Sequence, residues 1–143
     1  MPVDVRQSLE WALPVLVEEF VLVSDTIPNM RAGEVTLAIW GHFVGQCAGE
    51  CIWDDLDPAV LTDRLHRFVG QHLVAVEGGR GWLHLAFTDG WIRVVADRGD
   101  WEGWVVSLPG VSWVGGWDSD ALGSSRVVGR KESPKASLRK PSA

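Results

Sequence analysis

The chain has no tyrosine, only two cysteines and two methionines, and no lysine before position 131. Two thiols cannot staple a disulfide-rich scaffold, so stability has to come from a core, and a chain of 143 residues buries roughly two thirds of its unfolded surface. No apolar run approaches the ~18 residues of a spanning helix, and the first residues, MPVDVRQSLE, lack the basic-then-apolar pattern of a secretion signal. The expectation is one cytoplasmic domain without membrane contact. Metalloprotease and nucleophile–base motifs are also missing. Nothing spells out a reaction, and no cofactor is expected.

Charge of one sign is nearly absent from most of the chain. Of thirteen basic residues, six lie in residues 126–143 with a single acid, giving that Ser/Pro-containing segment +5. Residues 1–125 carry seven arginines, no lysine and eighteen acids, a net of −11. Such a body repels phosphate, so it is expected not to bind nucleic acid directly and to suit a basic partner, although solubility alone also accounts for net charge. The expected organisation is a single domain over 1–125 followed by a flexible basic tail over 126–143.

Metal and catalytic signals are thin. Cys47 and Cys51 stand four apart in GQCAGEC, and with His42 they are one ligand short of a closed zinc site; two small buried residues in a strand are the favoured explanation. Asp54, Asp55 and Asp57 cluster without EF-hand spacing, and a solvated turn with Asp57 as a helix cap accounts for them. Gly78-Gly79-Arg80-Gly81 joins two expected strands and reads as a turn, and Arg98-Gly99-Asp100 as chance.

Periodicity supplies most of the elements. Residues 3–13 predict a short helix with Val5, Leu9, Ala12 and Leu13 on one side, stopped by Pro14. Strands are expected over 15–24 and 34–40, joined by the loop DTIPNMRAG, and bent pairing over 42–54. Asp57 and Pro58 start a helix over 57–69, with Val60, Leu61, Leu65 and Phe68 as its apolar stripe. Strands follow at 72–78, 101–108 and 111–116. Between them, WLHLAFTDGWIRVVA (82–96) predicts a hairpin turning at Asp89-Gly90, with Ala86 facing Arg93 and Leu85 facing Val94. One side is then Leu83, Leu85, Phe87, Ile92, Val94 and Ala96, which must face the core. The other carries Trp82, His84, Trp91 and Arg93. GEVTLAIWGHF and GWLHLAFTDGW share a short pattern that suggests a duplicated strand unit.

Nine tryptophans are the strongest compositional signal. Trp82, Trp91, Trp101, Trp104, Trp113 and Trp117 fall close together, interleaved with Asp89, Asp97, Asp100, Glu102, Asp118 and Asp120. Trp101 and Trp104 are three apart, so a strand sends them to opposite faces and at least one should be exposed. Tryptophan ringed by acids is the composition of a hot spot for a basic partner; a two-sided core is the plainer explanation.

The run LHRFVGQHLVAVEGGRGWLHLAFTDGWIRVVADRGDWEGW (65–104) resembles a family of small bacterial β-rich domains of unknown function. It has that family's Val69-Gly70 start, its hairpin phrase from Leu83 to Val94, and its Trp101-Glu102-Gly103-Trp104 ending. Those domains are similar to immunity proteins of toxin systems, which implies binding without catalysis and carries over no catalytic residue. The basic tail departs from the family.

The expectation is an α+β fold: an antiparallel, curved sheet of about six to eight short strands, one helix near 57–69 and a short N-terminal helix, or a curled sheet approaching a barrel. The expected function is a non-catalytic protein-binding module with an acidic, Trp-bearing sheet face for a basic partner, built from Trp82, His84, Trp91, Arg93, Asp97, Asp100, Trp101, Glu102 and Trp104. The alternatives are a small-ligand binder or enzyme with a pocket in the curved sheet around Trp82, His84, Trp91 and Arg93, and a structural subunit of a homo-oligomer.

Overall fold

The computed structural model describes residues 4–96, 102–118 and 120–129. Helix α1 (Val5–Ala12) starts where Asp4 accepts the Gln7 amide at 2.7 Å, and it buries Val5, Ser8 and Leu9. Twelve strands and a second helix follow: β1 (Val15–Leu16), β2 (Glu19–Val23), β3 (Ile27–Ala32), β4 (Val35–Ile39), β5 (His42–Cys47), β6 (Glu50–Trp53), α2 (Pro58–His66), β7 (His72–Gly79), β8 (Trp82–Phe87), β9 (Gly90–Val95), β10 (Glu102–Leu108), β11 (Val111–Gly116) and β12 (Ser125–Val128). The α+β class with antiparallel pairing stands. The strands, however, form two sheets and not one, and exceed the expected number.

The seven-stranded sheet runs β1, β7, β8, β9, β5, β6, with β12 also on β7; the five-stranded sheet runs β11, β10, β4, β3, β2. One corner joins them. Strand β5 pairs with β9 from Cys47↔Gly90 to His42↔Val95, and β4 pairs with β10 at Ile39↔Trp104, so two adjacent chain segments cross together from one sheet to the other. Trp40 and Gly41 make the turn on one side. Both amides donate to the Gly103 carbonyl, at 2.9 and 2.8 Å. A Cβ on Gly41 would stand 2.8 Å from the Val95 carbonyl oxygen, so the tight corner needs glycine there.

The helices close the sides left open. Helix α2 packs on β2 and β6, an edge strand from each sheet, while α1 packs on β10, β11 and β12. Between the layers lie Phe20, Phe68 and Phe87, with Phe68 and Phe87 centroids 4.3 Å apart, and the edge-to-face pair Trp104–Trp113 at 5.7 Å. Among the described residues no helix is long and apolar enough to cross a membrane.

Several expectations change in detail. The loop expected between the first strands is mostly β3. Its turn from β2 uses Ser24 and Asp25 at φ 54° and 60° without a glycine to announce it, and Pro28 is tolerated because pairing with β4 begins only at Asn29. The hairpin keeps its faces, but its pairing shifts by two: Phe87 faces Gly90, Ala86 faces Trp91 and His84 faces Arg93. The loop residues are Thr88 and Asp89, whose amides donate to the His72 carbonyl and the Gln71 side chain at 3.0 and 2.8 Å. Val60 points outward, while Leu61, Leu65 and Phe68 are buried. The last strand, β12, takes in Arg126, Val127 and Val128 from the segment expected as tail, and Val127 is buried. The two similar stretches are not equivalent: one runs through the corner, the other through the hairpin.

Candidate functional site

Alternation along β8 and β9 places Trp82, His84, Trp91 and Arg93 on the outer face of the seven-stranded sheet, with Leu83, Leu85, Phe87, Ile92 and Val94 buried behind them. The four are already in mutual contact. His84 stacks on Trp91 with centroids 5.5 Å apart, and the Arg93 guanidinium carbon lies 4.8 Å from the centroid of the Trp82 ring. Arg93 Nε donates to His84 Nδ1 at 3.3 Å. Trp82 lies flat on Gly79, where a Cβ would come within 2.3 Å of the indole nitrogen. Partial burial, then Arg93, pushes the His84 imidazolium down from its ordinary pKa; Glu77 opposes and Arg126 reinforces this.

This group differs from its expected character in two ways. It is not acidic, because the row across the strands reads Arg126, Glu77, His84, Arg93. Nor does the sheet curl around it. The depression beside His84, lined by Ala75, Glu77, His84, Ala86 and Arg126, holds about 70 Å³, well under the ~300 Å³ where ligand pockets begin.

Of the remaining site residues, Trp104 is fully buried in the core under Gly115 and is no contact residue. The β-bulge between Glu102 and Trp104 turns it inward. Glu102 is exposed at the corner end of β10. Asp97, Asp100 and Trp101 lie outside the described residues, in the connection from Ala96 to Glu102. The metal set does not assemble: Cys47 is buried, Cys51 is exposed opposite Gln46, and His42 stands at the far end of β5. Burial pushes the Cys47 thiol up, away from the thiolate a metal takes. Among the described residues no group of three ligating side chains could hold a metal ion.

A larger feature sits at the corner. The β2–β3 turn, the β4–β5 bend and the segment from β6 into α2 converge on a cleft of about 620 Å³. Ile27, Ile39, Phe43, Leu56 and Leu61 supply its apolar lining; Asp25, Asp54 and Asp55 supply carboxylates; Trp40, 56% exposed, stands at its edge. No lysine or arginine is among the described residues that line it. Asp54 is built in: its Oδ2 accepts the His42 ring N–H at 2.7 Å, and its amide donates to the Phe43 carbonyl at 3.2 Å. Asp25 and Asp55 are open to solvent.

Sequence reasoning takes residues 34–40 as one strand, whereas Trp40 stands just past the end of β4 at Ile39 and is exposed. That reasoning missed that Asp25 and Asp55 share a cleft with Trp40, because only the folding of three separate turns onto one corner brings them together. Comparison with protein-family models, with curated proteins and with solved structures finds no match for this chain.

Proposed function

We propose that this protein is a non-catalytic protein-binding module, of the immunity-like or accessory kind, that holds a basic partner through an acidic, tryptophan-bearing surface, and that the corner cleft is that surface. The observation that carries the reading is the composition of the cleft: three carboxylates, of which Asp54 is engaged by His42, and an exposed indole around an apolar floor, with no lysine or arginine among the described residues that line it. A lysine or arginine side chain matches each part. Its aliphatic stem lies on Ile39, Phe43 and Leu56, its charged head reaches Asp25 or Asp55, and the Trp40 face takes the cation at roughly 0.5–1 kcal/mol, more where water is excluded. The −11 of residues 1–125 draws such a partner in and makes association salt-dependent.

The test is a titration with an arginine-rich peptide and a glutamate-rich peptide of equal length. The basic peptide binds and the acidic one does not. Asp25→Asn with Asp55→Asn, or Trp40→Ala, weakens binding about tenfold, which is ~1.4 kcal/mol, while the melting temperature stays put because all three side chains are exposed. Equal affinity in wild type and variants would overturn the reading. The cleft volume also falls within the range of small-molecule sites, so a free amine that matched the peptide's affinity would point to a small cationic ligand.

A further inference from the structure

The outer face of the seven-stranded sheet carries chemistry of the opposite sign, and the proposed function leaves it unused. Strand register lines up one row across it: Arg126 on β12, Glu77 on β7, His84 on β8, Arg93 on β9, Val44 on β5 and Trp53 on β6. Arg31 pairs with Glu18, Arg64 with Glu50, and Arg67 with Glu50 and Asp63, while Arg6, among the described residues, reaches only the Ser125 hydroxyl. Arg93 and Arg126 have no carboxylate at ion-pair distance among the described residues. Glu77, the one acid in the row, pairs with neither.

Arg93 is nevertheless held in place. Trp82 supports its flat side and His84 accepts its Nε, which leaves the outer edge of the guanidinium directed away from its own contacts. Exposed apolar side chains share the face: Trp53, Val44 and Val95 on the Arg93 side and Val128 beside Arg126 are each more than two-fifths exposed. Rigid Trp and Arg within an apolar surround is the composition of an interaction hot spot.

We propose that this face is a second docking surface, and that its occupant is a short acidic segment of a protein partner, with one carboxylate on Arg93 and another on Arg126. Charge complementarity selects the occupant: the row presents two cations without carboxylate partners against one carboxylate. The depression of about 70 Å³ lined by Ala75, Glu77, His84, Ala86 and Arg126 holds roughly two waters, which leaves room for one carboxylate on its Arg126 side, away from Glu77, and for no larger ligand. Geometry selects the spacing. Strands β12 and β9 are three strand spacings apart, about 14 Å, which an extended chain crossing the sheet covers in about four residues. The segment therefore bears acids at i and i+4 with an apolar residue between them, over His84 and Trp91. A nucleic acid strand also offers regularly spaced anions, but two arginines on a body of −11 are a poor match for continuous phosphate.

The experiment uses the full chain and fluorescein-labelled peptides with two glutamates at i,i+4 or at i,i+2 around a leucine, read by anisotropy. Wild type binds the i,i+4 peptide more tightly than the i,i+2 peptide. Arg93→Gln and Arg126→Gln each weaken it about tenfold with unchanged melting temperature, while Asp25→Asn with Asp55→Asn leaves it unaffected, which separates this surface from the cleft. Absence of binding at ~1 mM, equal affinity in the arginine variants, or no preference for spacing overturns the proposal. A single-stranded oligonucleotide that binds more tightly than either peptide overturns it in favour of nucleic acid.

Discussion

His84 shows how a single side chain records its surroundings. It stands between Arg93 and Arg126 on a half-buried stretch of sheet, and both burial and these cations disfavour its charged form. In the unfolded chain it protonates near its ordinary value of 6.5, whereas the folded protein resists protonation to lower pH. The stability this contributes is therefore fully present above about pH 6.5 and is lost as pH falls through the folded pKa. Melting temperature measured from pH 7 down to about 5 should fall less steeply in His84→Gln than in wild type; parallel curves would contradict the assignment. The tryptophans divide at the same scale. Alternation put Trp82 and Trp91 outside correctly. It could not tell which way Trp104 faces, because a bulge resets the alternation just before it and the indole needs the bare backbone of Gly115 to fit.

Among the elements, those with local causes were legible and those with tertiary causes were not. Helix α2 follows from Asp57, whose carboxylate accepts the Ala59 amide at 3.0 Å, and from Pro58 at its first turn. Because α2 bridges an edge of each sheet, its start matters to the whole. Asp57→Ala should cost about 1 kcal/mol, seen as a lower denaturation midpoint at unchanged slope; no shift would mean that the cap contributes nothing. The hairpin faces were legible because a wholly apolar side has one place to go. Its register was not. Gly90 reads as a turn residue, yet it sits in the ladder with φ +144° because β5 presses against it, and a Cβ would come within 2.3 Å of the Gln46 carbonyl oxygen. Strand β3 was missed because residues at positive φ other than glycine leave no mark in a pattern.

At the scale of the molecule, the net charge of −6 conceals an arrangement: an acidic cleft at the corner and an arginine-bearing platform on one sheet. Composition announced acid and tryptophan, but only the fold shows that Trp40 shares a cleft with carboxylates while Trp82 and Trp91 share a face with Arg93. The corner is where two segments cross between sheets, so loops from distant positions in the chain gather there without the sequence pairing them. The most direct measurement is a two-dimensional amide NMR titration of the full chain with the arginine-rich peptide. The account predicts shifts concentrated at Asp25, Thr26, Trp40, Asp54 and Asp55, including the Trp40 indole, with His84, Trp91 and Arg93 unmoved. Shifts centred on Trp91 and Arg93, or none at saturating peptide, would contradict it.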